Sequence, residues 1–245
     1  MNATRRILFL LLVFILPFSA WSQTGIKPLK DLVDTVNSAW PAIEDRAGKA
    51  TNKVTVLPSA IKLAGPALLA MQNSTNEPLP AVIYHTGGIL VDDGWIRILG
   101  SGDAQFKRSL LTWNKNKTNG KAYTLVADDA VGGYFLINGG ELGTDTANVY
   151  YFSPRTLKYK SLEMNYPKFL DFCFNGDLAK FYAGFRWKTW RQDVKKLDAD
   201  EVFIFIPFLW NPASKNIENT IRKIIPAEQK YFLTQQEIQK KQSIK

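Results

Sequence analysis

The chain has 245 residues, of which 46% are hydrophobic and 13% aromatic, and it carries a formal net charge of +9 at pH 7. This length and apolar content suffice for one sizeable domain with a buried core, and they exclude a disordered chain. The charge fits either a lysine-rich soluble surface or an acidic partner, but no polybasic cluster or basic helix marks a nucleic-acid arm, so we expect no specific nucleic-acid partner.

The N-terminus has the three parts of a secretory signal peptide. Arg5 and Arg6 supply the positive region, and residues 7–20 form an apolar run of 14 residues. Ala20-Trp21-Ser22 then matches a small-x-small cleavage site. An uncleaved anchor is the alternative, but the apolar run is shorter than the roughly 20 residues that cross a bilayer. We therefore predict a signal peptide over residues 1–22 cut after Ser22, no later transmembrane span, and a periplasmic or secreted location.

The next part of the chain is predicted to be mainly helical. Apolar residues at helical spacing predict an amphipathic first helix, and these are Leu29, Leu32, Val33, Val36 and Trp40. Pro41 suits the first turn of a second helix, where a missing amide donor is not needed. Residues 54–57 predict a short extended piece, and residues 61–71 predict a helix that Pro66 must kink or split. Residues 81–84 predict a strand.

A predicted β-hairpin organises the middle of the chain. Residues 89–91 and 95–99 are rich in β-branched and aromatic side chains, and Asp93-Gly94 between them tolerates the positive φ angles of a tight turn. Side chains alternate along a strand, so Trp95 and Arg97 share one face of the second strand.

The remaining elements complete an α+β pattern. A short helix is predicted around Phe106, Leu110 and Trp113, followed by an exposed lysine-rich loop over residues 114–121. Four strands are predicted over residues 123–127, 134–137, 149–152 and 157–160, helices over 166–174 and 178–194, a buried strand over 202–206, and a closing polar helix over 227–241. We therefore predict a single α+β domain over residues 23–245, a mostly antiparallel sheet with N-terminal helices and C-terminal helices packed on it.

Several segments resemble the bacterial domain-of-unknown-function family 2625. The matching residues are 67–72, 87–102, 133–140, 150–154, 166–170 and 186–187. The resemblance covers residues 40–197 or so and implies a family-like core there, with residues 198–245 as a C-terminal extension. It implies no reaction.

A looser similarity links the chain to the SUKH superfamily of α+β interaction domains. It lies in residues 125–129 running into 133–135, and in the helix start over 166–170. The resemblance implies a SUKH-like fold and a protein-binding role, of which toxin immunity is the frequent form. This chain departs from that pattern because it is basic and carries a predicted export signal, whereas an inhibitor of a nuclease presents negative charge.

Single histidine and cysteine residues limit the chemistry. His85 is the one histidine and Cys173 the one cysteine, so neither a multi-ligand zinc site nor an intramolecular disulfide is expected. The chain has no Gly-x-Ser-x-Gly turn for a His-dependent nucleophile and no complete phosphate-binding glycine motif. We therefore predict no catalytic residues, no metal and no cofactor, with Cys173 as a buried thiol.

Paired acids leave one enzymatic alternative open. Asp92-Asp93 and Asp128-Asp129 both suit turns, where aspartate is common for conformational reasons. One member of each pair could still meet the other as acid and base, so a cell-envelope glycan hydrolase or glycan-binding protein using Asp92 and Asp128 or Asp129 is the alternative hypothesis.

Trp187 and Trp190 lie on the predicted helix over residues 178–194, together with Arg186 and Arg191. Residues one turn apart on a helix share a face. If that face is exposed, it binds a flat or anionic partner by stacking and cation–π contact. If it is buried, the tryptophans are core, which their usual burial favours.

These patterns favour a non-catalytic binding domain over an enzyme. We expect its partner to be a protein or an anionic envelope component. The residues that we expect in its binding surface are His85, Asp92, Trp95, Arg97, Trp113, Asp128, Arg186 and Trp187.

Overall fold

The computed structural model of the chain describes residues 25–117 and 122–243. The predicted signal peptide over residues 1–22 lies outside the described residues, as does the end of the predicted lysine-rich loop. Within them, a seven-stranded and a two-stranded antiparallel sheet are packed with helices from both ends of the chain. The predicted α+β class with a mostly antiparallel sheet is confirmed.

Four helices precede the organising hairpin. They are α1 (Leu29–Leu32), α2 (Trp40–Gly48), α3 (Ile61–Met71) and α4 (Pro78–His85). Pro41 lies in the first turn of α2 as predicted, and α3 runs through Pro66 without splitting. The first helix is shorter than predicted, because the Asp34 carboxylate accepts hydrogen bonds from the amides of Val36 and Asn37 and so turns the chain.

The predicted strand over residues 81–84 is wrong, because these residues belong to α4. Pro78 stands in the first helical turn, where its missing amide costs no hydrogen bond. Ala81, Val82 and Ile83 are all fully buried. A helix turn buried on several sides has the same composition as a buried strand, and a short apolar run does not separate the two.

The main sheet is a meander in which strands that are neighbours in sequence are also neighbours in space. Its strands are β1 (Val54–Pro58), β2 (Thr86–Val91), β3 (Ile96–Leu99), β4 (Tyr123–Asp129), β5 (Tyr134–Asn138), β6 (Asn148–Ser153) and β7 (Lys158–Asn165). Each pairs antiparallel with the next. The strands predicted within this region are confirmed, and the edges of the sheet are β1 and β7.

The hairpin predicted around Asp93-Gly94 is formed by β2 and β3, with Val91 paired to Ile96. Asp92, Asp93 and Gly94 have φ angles of 51°, 59° and 88°. This left-handed region is costly for most side chains but accessible to aspartate and glycine, which explains the composition of the turn.

Helix α5 (Leu110–Lys117) replaces the first part of the predicted lysine-rich loop. The Asn114 side chain donates to the carbonyls of Leu110 and Leu125 and accepts from the Leu125 amide, each at 2.8 Å. These bonds tie the helix to β4, so Asn114 acts as a tertiary connection rather than as a loop residue. Phe106 precedes the helix and is fully buried.

The C-terminal part differs most from its prediction. Its elements are α6 (Tyr166–Asn175), α7 (Leu178–Phe181), α8 (Trp190–Val194), β8 (Glu201–Ile206), β9 (Ile221–Pro226) and α9 (Ala227–Ser243). The single helix predicted over residues 178–194 is wrong, because Gly184 lies in a turn between two short helices. Strand β9 was not predicted, and it pairs antiparallel with β8.

The core fills both faces of the main sheet and holds the lone cysteine. Cys173 on α6 is fully buried, and burial raises the pKa of its thiol well above its usual value. The predicted buried thiol is confirmed. No helix in residues 25–117 or 122–243 is long and apolar enough to cross a membrane.

Candidate functional site

The predicted binding residues fall into three separate places. Asp92, Trp95, Arg186 and Trp187 meet at the turn of the β2–β3 hairpin, Arg97, Trp113 and Asp128 belong to an interior charged network, and His85 lies apart on α4.

The interior network is centred on Asp128, at the end of β4. Arg97 Nε donates to Asp128 Oδ1 at 2.7 Å, and Arg108 Nη1 donates to Asp128 Oδ2. The side chains of Arg97 and Asp128 are each 1% exposed, and Arg108 lies 4.6 Å from the ring centroid of Trp113. Both carboxylate oxygens of Asp128 are thus held by guanidinium groups.

The same arginines connect the sheet to the chain before β8. Arg97 donates to the backbone carbonyls of Asp129 and Glu201, and Arg108 bonds to the Asp200 carboxylate at 3.0 Å. Burial lowers the pKa of Arg97, although the charge of Asp128 opposes that shift. Because these charges satisfy one another across three segments, they hold the fold together, and Arg108, Trp113 and Asp200 also line a surface cavity of about 380 Å³.

Both carboxylate oxygens of Asp129 are likewise occupied by hydrogen bonds within the protein. Its Oδ1 accepts from the amides of Val131 and Gly133 at 3.0 and 2.7 Å, and its Oδ2 accepts from the hydroxyls of Tyr151 and Tyr182 at 2.8 and 3.2 Å. Burial raises the pKa of Asp129, and these hydrogen bonds oppose the shift. The surface of the described residues has cavities of about 250 to 570 Å³ that are lined neither by Asp92 nor by either aspartate of the second pair.

The hairpin-tip cluster consists of Asp92, Asp93, Trp95, Arg186, Trp190 and Arg191. Arg186 Nη2 donates to Asp92 Oδ2 at 2.6 Å, and both side chains are less than one-tenth exposed. The guanidinium of Arg186 lies 3.8 Å from the ring centroid of Trp190 and 4.9 Å from that of Trp95. Trp95 itself is fully buried. The inner part of the cluster is therefore rigid, because each charge has an ionic or aromatic partner.

Arg191 forms the outer layer of the hairpin-tip cluster. Its guanidinium lies 4.3 Å from the ring centroid of Trp190, and its Nη1 is 3.9 Å from Asp92 Oδ1. Its side chain is 63% exposed. Stacking on an aromatic ring orients a guanidinium while its remaining donors face water.

Two lysines extend the positive charge around Asp93. Lys53 forms an ion pair with Asp93, and Lys195 Nζ lies 3.9 Å from the same carboxylate. Both lysine side chains are mostly exposed. With Arg186 and Arg191, four cations surround the two aspartates of the turn, so the local net charge is +2.

Trp187 supports the hairpin-tip cluster from the core by packing against Trp95. It is buried, and its indole Nε1 donates to Asp193 Oδ2 at 2.7 Å. Burial acts to raise the pKa of Asp193, but hydrogen bonds from Lys196, Trp187 and Thr189 outweigh it and lower that pKa to about 2. Trp187 and Trp190 do not share one helix as predicted, since only Trp190 lies in α8. Trp187 lies in the core, whereas the ring of Trp190 contacts the guanidinium groups of Arg186 and Arg191.

His85 lies apart from both charged groups and packs against an aromatic ring and a hydroxyl. Its ring stacks on Trp40 with centroids 5.6 Å apart, and its Nε2 lies 3.5 Å from Ser38 Oγ. Burial lowers the pKa of His85, with a smaller opposite effect of Glu44. In the part of the chain that the structure describes, no group of three or more His, Cys, Asp or Glu residues could hold a metal ion.

Several residues that contact the interior network or the hairpin-tip cluster were not among the predicted site residues. Arg108, Asp200 and Tyr182 are brought in by contacts between residues far apart in sequence. No local pattern in the sequence marks them, although Arg191 was visible as a neighbour of Trp187.

Comparisons with known proteins identify relatives without a described activity. The family described as "Protein of unknown function DUF2625" matches residues 29–230. The chain is 42% identical over 201 residues to "Putative uncharacterized protein YbfG" of Escherichia coli (strain K12), which covers 82% of this chain and 92% of that protein. It is 41% identical over 189 residues to an "Uncharacterized protein" of Haemophilus influenzae, covering 75% and 83%. No solved structure matches the chain.

Proposed function

Since the chain belongs to the DUF2625 family of proteins of unknown function, we propose from its geometry that it is a non-catalytic binding domain. The surface that binds is the hairpin-tip cluster, and its partner is an acidic protein or an anionic component of the cell envelope.

One observation carries this proposal: Arg191 is an exposed cation that stacks on the partly buried ring of Trp190, 3.9 Å from the buried carboxylate of Asp92. Trp190 lies between Arg186 and Arg191, at 3.8 and 4.3 Å from their guanidinium carbons, and both arginines approach Asp92. A preoriented guanidinium loses little side-chain entropy when it binds a carboxylate, sulfate or phosphate. Lys53 and Lys195 add attraction for the same anion.

The hydrolase alternative finds less support. Glycoside hydrolysis needs one protonated acid and one free carboxylate that face each other across the substrate. Asp92 is paired with Arg186, and Asp128 has a guanidinium on each of its oxygens. Both carboxylates are thus held in ion pairs at separate places in the fold, so we do not propose catalysis.

We further propose that the domain works outside the cytoplasm, because residues 1–22 have the composition of a cleavable signal peptide. The SUKH-like protein-binding role implied by the resemblance is compatible with this location. A nuclease partner fits poorly, since the basic hairpin tip would face the basic cleft that binds nucleic acid.

A charge-reversal experiment tests the hairpin tip. The variant Arg191→Glu/Lys195→Glu is compared with Lys30→Glu/Lys62→Glu, which makes the same change of charge at two exposed lysines on α1 and α3. Binding to immobilised poly-glutamate and to dextran sulfate is measured at physiological salt. We expect affinity to fall about tenfold or more in the first variant, and less than threefold in the second.

Equal losses in the two variants would contradict the proposal, because they would mean that only total charge matters. Absence of binding by the wild-type protein to either anion would contradict it as well. Unchanged thermal midpoints in both variants show that the comparison is between folded proteins.

A further inference from the structure

The two-stranded sheet of β8 and β9 forms a ribbon beside the main sheet. Its register pairs Ile206 with Ile221 and Ile204 with Lys223. Directly paired residues lie on the same face of an antiparallel ribbon, and alternate residues share that face. These four side chains therefore point to one side of the ribbon.

The opposite face of the ribbon is occupied by the protein itself. The ring centroids of Phe203 and Phe205 lie 5.0 and 5.8 Å from that of Trp187, and the guanidinium of Arg222 lies 4.9 Å from the same ring. This face is the docked side of the ribbon. On the other side Ile204 is buried, so only the end of that side that carries Ile206 and Ile221 is open.

The ribbon patch, defined as Ile206, Phe208, Ile221 and Lys223, is exposed. Ile206 is 43% exposed, Ile221 61% and Phe208 37%, and Lys223 is also exposed. Phe208 follows Ile206 by two residues and stacks on Trp210, with ring centroids 4.5 Å apart. Large apolar side chains gathered on a surface mark a site where something else binds.

Charge around the ribbon patch selects the kind of partner. Lys223 lies on the same face as Ile206 and Ile221, whereas Arg222 faces Trp187; residues 201–226 together contain three cations, Lys215, Arg222 and Lys223, and two acids, Glu201 and Glu218. Isoleucine and phenylalanine side chains interleaved with lysine suit the boundary of a bilayer, where apolar groups enter the acyl region and cations remain at anionic headgroups. We propose that the ribbon patch docks on an anionic lipid surface.

A second copy of the chain is the competing occupant. Among the described residues β9 pairs only with β8, so its other edge is open to another strand. Pairing two β9 strands would bring the adjacent cations Arg222 and Lys223 of one copy close to those of the other. Like charges on neighbouring strands are destabilising, so the charge pattern favours the lipid surface.

Vesicle co-sedimentation tests the proposal. The protein begins at Gln23, which retains every described residue and removes the apolar leader that would bind lipid by itself. Vesicles of phosphatidylethanolamine with phosphatidylglycerol are compared with vesicles of phosphatidylcholine. The ribbon variant is Ile206→Ser/Ile221→Ser, and its control is Ile61→Ser/Leu63→Ser on α3, with 81% and 41% exposure.

We expect binding to the anionic vesicles alone. The ribbon variant should lose about tenfold in apparent affinity, because two partly exposed isoleucines no longer enter the lipid, while the control stays within twofold. Lys223→Gln should lose about fivefold, against less than twofold for Lys62→Gln. The single lysine variant keeps the test valid should the double serine variant fail to fold.

Three outcomes would overturn the proposal: no vesicle binding by the wild-type protein, equal binding to neutral vesicles, or unchanged binding in the ribbon variant and in Lys223→Gln. A dimer in solution that the ribbon variant makes monomeric would assign the patch to a second copy instead. The ribbon variants leave Arg191 and Lys195 intact, so binding of poly-glutamate at the hairpin tip is a separate result.

Discussion

Arg186 is held between aromatic rings and a single carboxylate at the tip of the hairpin. Its Nη2 bonds to Asp92, its guanidinium contacts Trp95 and Trp190, and its Nε has no hydrogen-bond partner among the described residues. Burial lowers the pKa of Arg186, and the charge of Asp92 opposes that shift. The buried charge of Asp92 therefore depends mainly on Arg186.

Replacing Arg186 should destabilise the fold far more than replacing its neighbour. Arg186→Ala leaves the carboxylate of Asp92 buried beside one distant cation, and we expect the free energy of unfolding to fall by about 3 kcal/mol. Arg191→Ala removes an exposed side chain, and we expect a loss below about 1 kcal/mol. Urea unfolding of both variants measures the difference. Similar losses in the two variants would refute the division into a buried inner and an exposed outer arginine.

Residues at the hairpin tip also show what local patterns can and cannot reveal. The Asp-Gly pair located the turn, because positive φ angles are a property of the residues themselves. Their ionic partners Arg186 and Lys195 lie about 100 positions later in the chain, as the numbering in the sequence shows. Which arginine reaches which aspartate depends on tertiary packing, and no spacing rule encodes it.

Among the secondary-structure elements, α9 docks on the sheet through a buried lysine. Lys230 is 3% exposed, donates to Thr234 Oγ1 at 2.9 Å, and lies 4.9 Å from the ring centroid of Trp210. No carboxylate in the described parts of the chain bonds to it, and its side chain packs against Gly132. Burial lowers the pKa of Lys230 from 10.5 to about 8, with a smaller opposite effect of Asp129.

The lowered pKa of Lys230 predicts that the contribution of this residue to the free energy of unfolding rises with pH. Below about pH 8 Lys230 is charged in both states, and burying that charge costs the folded state free energy. Between about pH 8 and 10.5 the folded state loses the proton first, so the contribution of Lys230 to stability increases. The increase is roughly 3 kcal/mol, from the size of the pKa difference.

The comparison with Lys230→Met isolates that effect. Methionine fills similar space without a charge, so this variant should be more stable than the wild-type protein at pH 7, and the difference should shrink toward pH 10.5. Urea unfolding at several pH values measures it, and subtracting the two proteins cancels the titration of the tyrosines. A difference that does not vary with pH would show that Lys230 is neutral or solvated throughout.

Elements differ in how well their sequences predicted them. The meander strands were predictable because hydrophobic alternation and turn residues are local. The strand predicted over residues 81–84 became helix because prolines at 78 and 80 begin α4 and the surrounding core buries it. Strand β9 was missed because Ile221, Arg222, Lys223 and Ile224 do not alternate between apolar and polar. Pairing with β8, rather than an alternating pattern in its own sequence, makes this segment a strand.

At the scale of the whole molecule, the net positive charge of the protein and its cellular location together determine which partners it meets. The described residues carry exposed cations at the hairpin tip and on the ribbon, and Trp187 contacts both Trp95 of the hairpin-tip cluster and Arg222 of the ribbon. Removal of the proposed signal peptide, which contains Arg5 and Arg6 and no acid, would change the formal net charge from +9 to +7. A processed protein is therefore still strongly positive, and in the envelope it would meet anionic lipids and polymers.

Export decides whether the anionic cell envelope is available as a partner to the two proposed surfaces. When the full chain is expressed in a bacterium, we expect it in the periplasmic or secreted fraction with Gln23 as its first residue, because Ala20 and Ser22 fit the cleavage site. N-terminal sequencing by mass spectrometry measures this. Leu12→Arg places a charge in the apolar run and should keep the full-length chain in the cytoplasm, whereas Lys62→Gln should be processed normally. A wild-type protein that stays in the cytoplasm with Met1 or Asn2 at its start would remove the anionic envelope from the set of partners, and would leave an acidic cytoplasmic protein as the ligand of the hairpin tip.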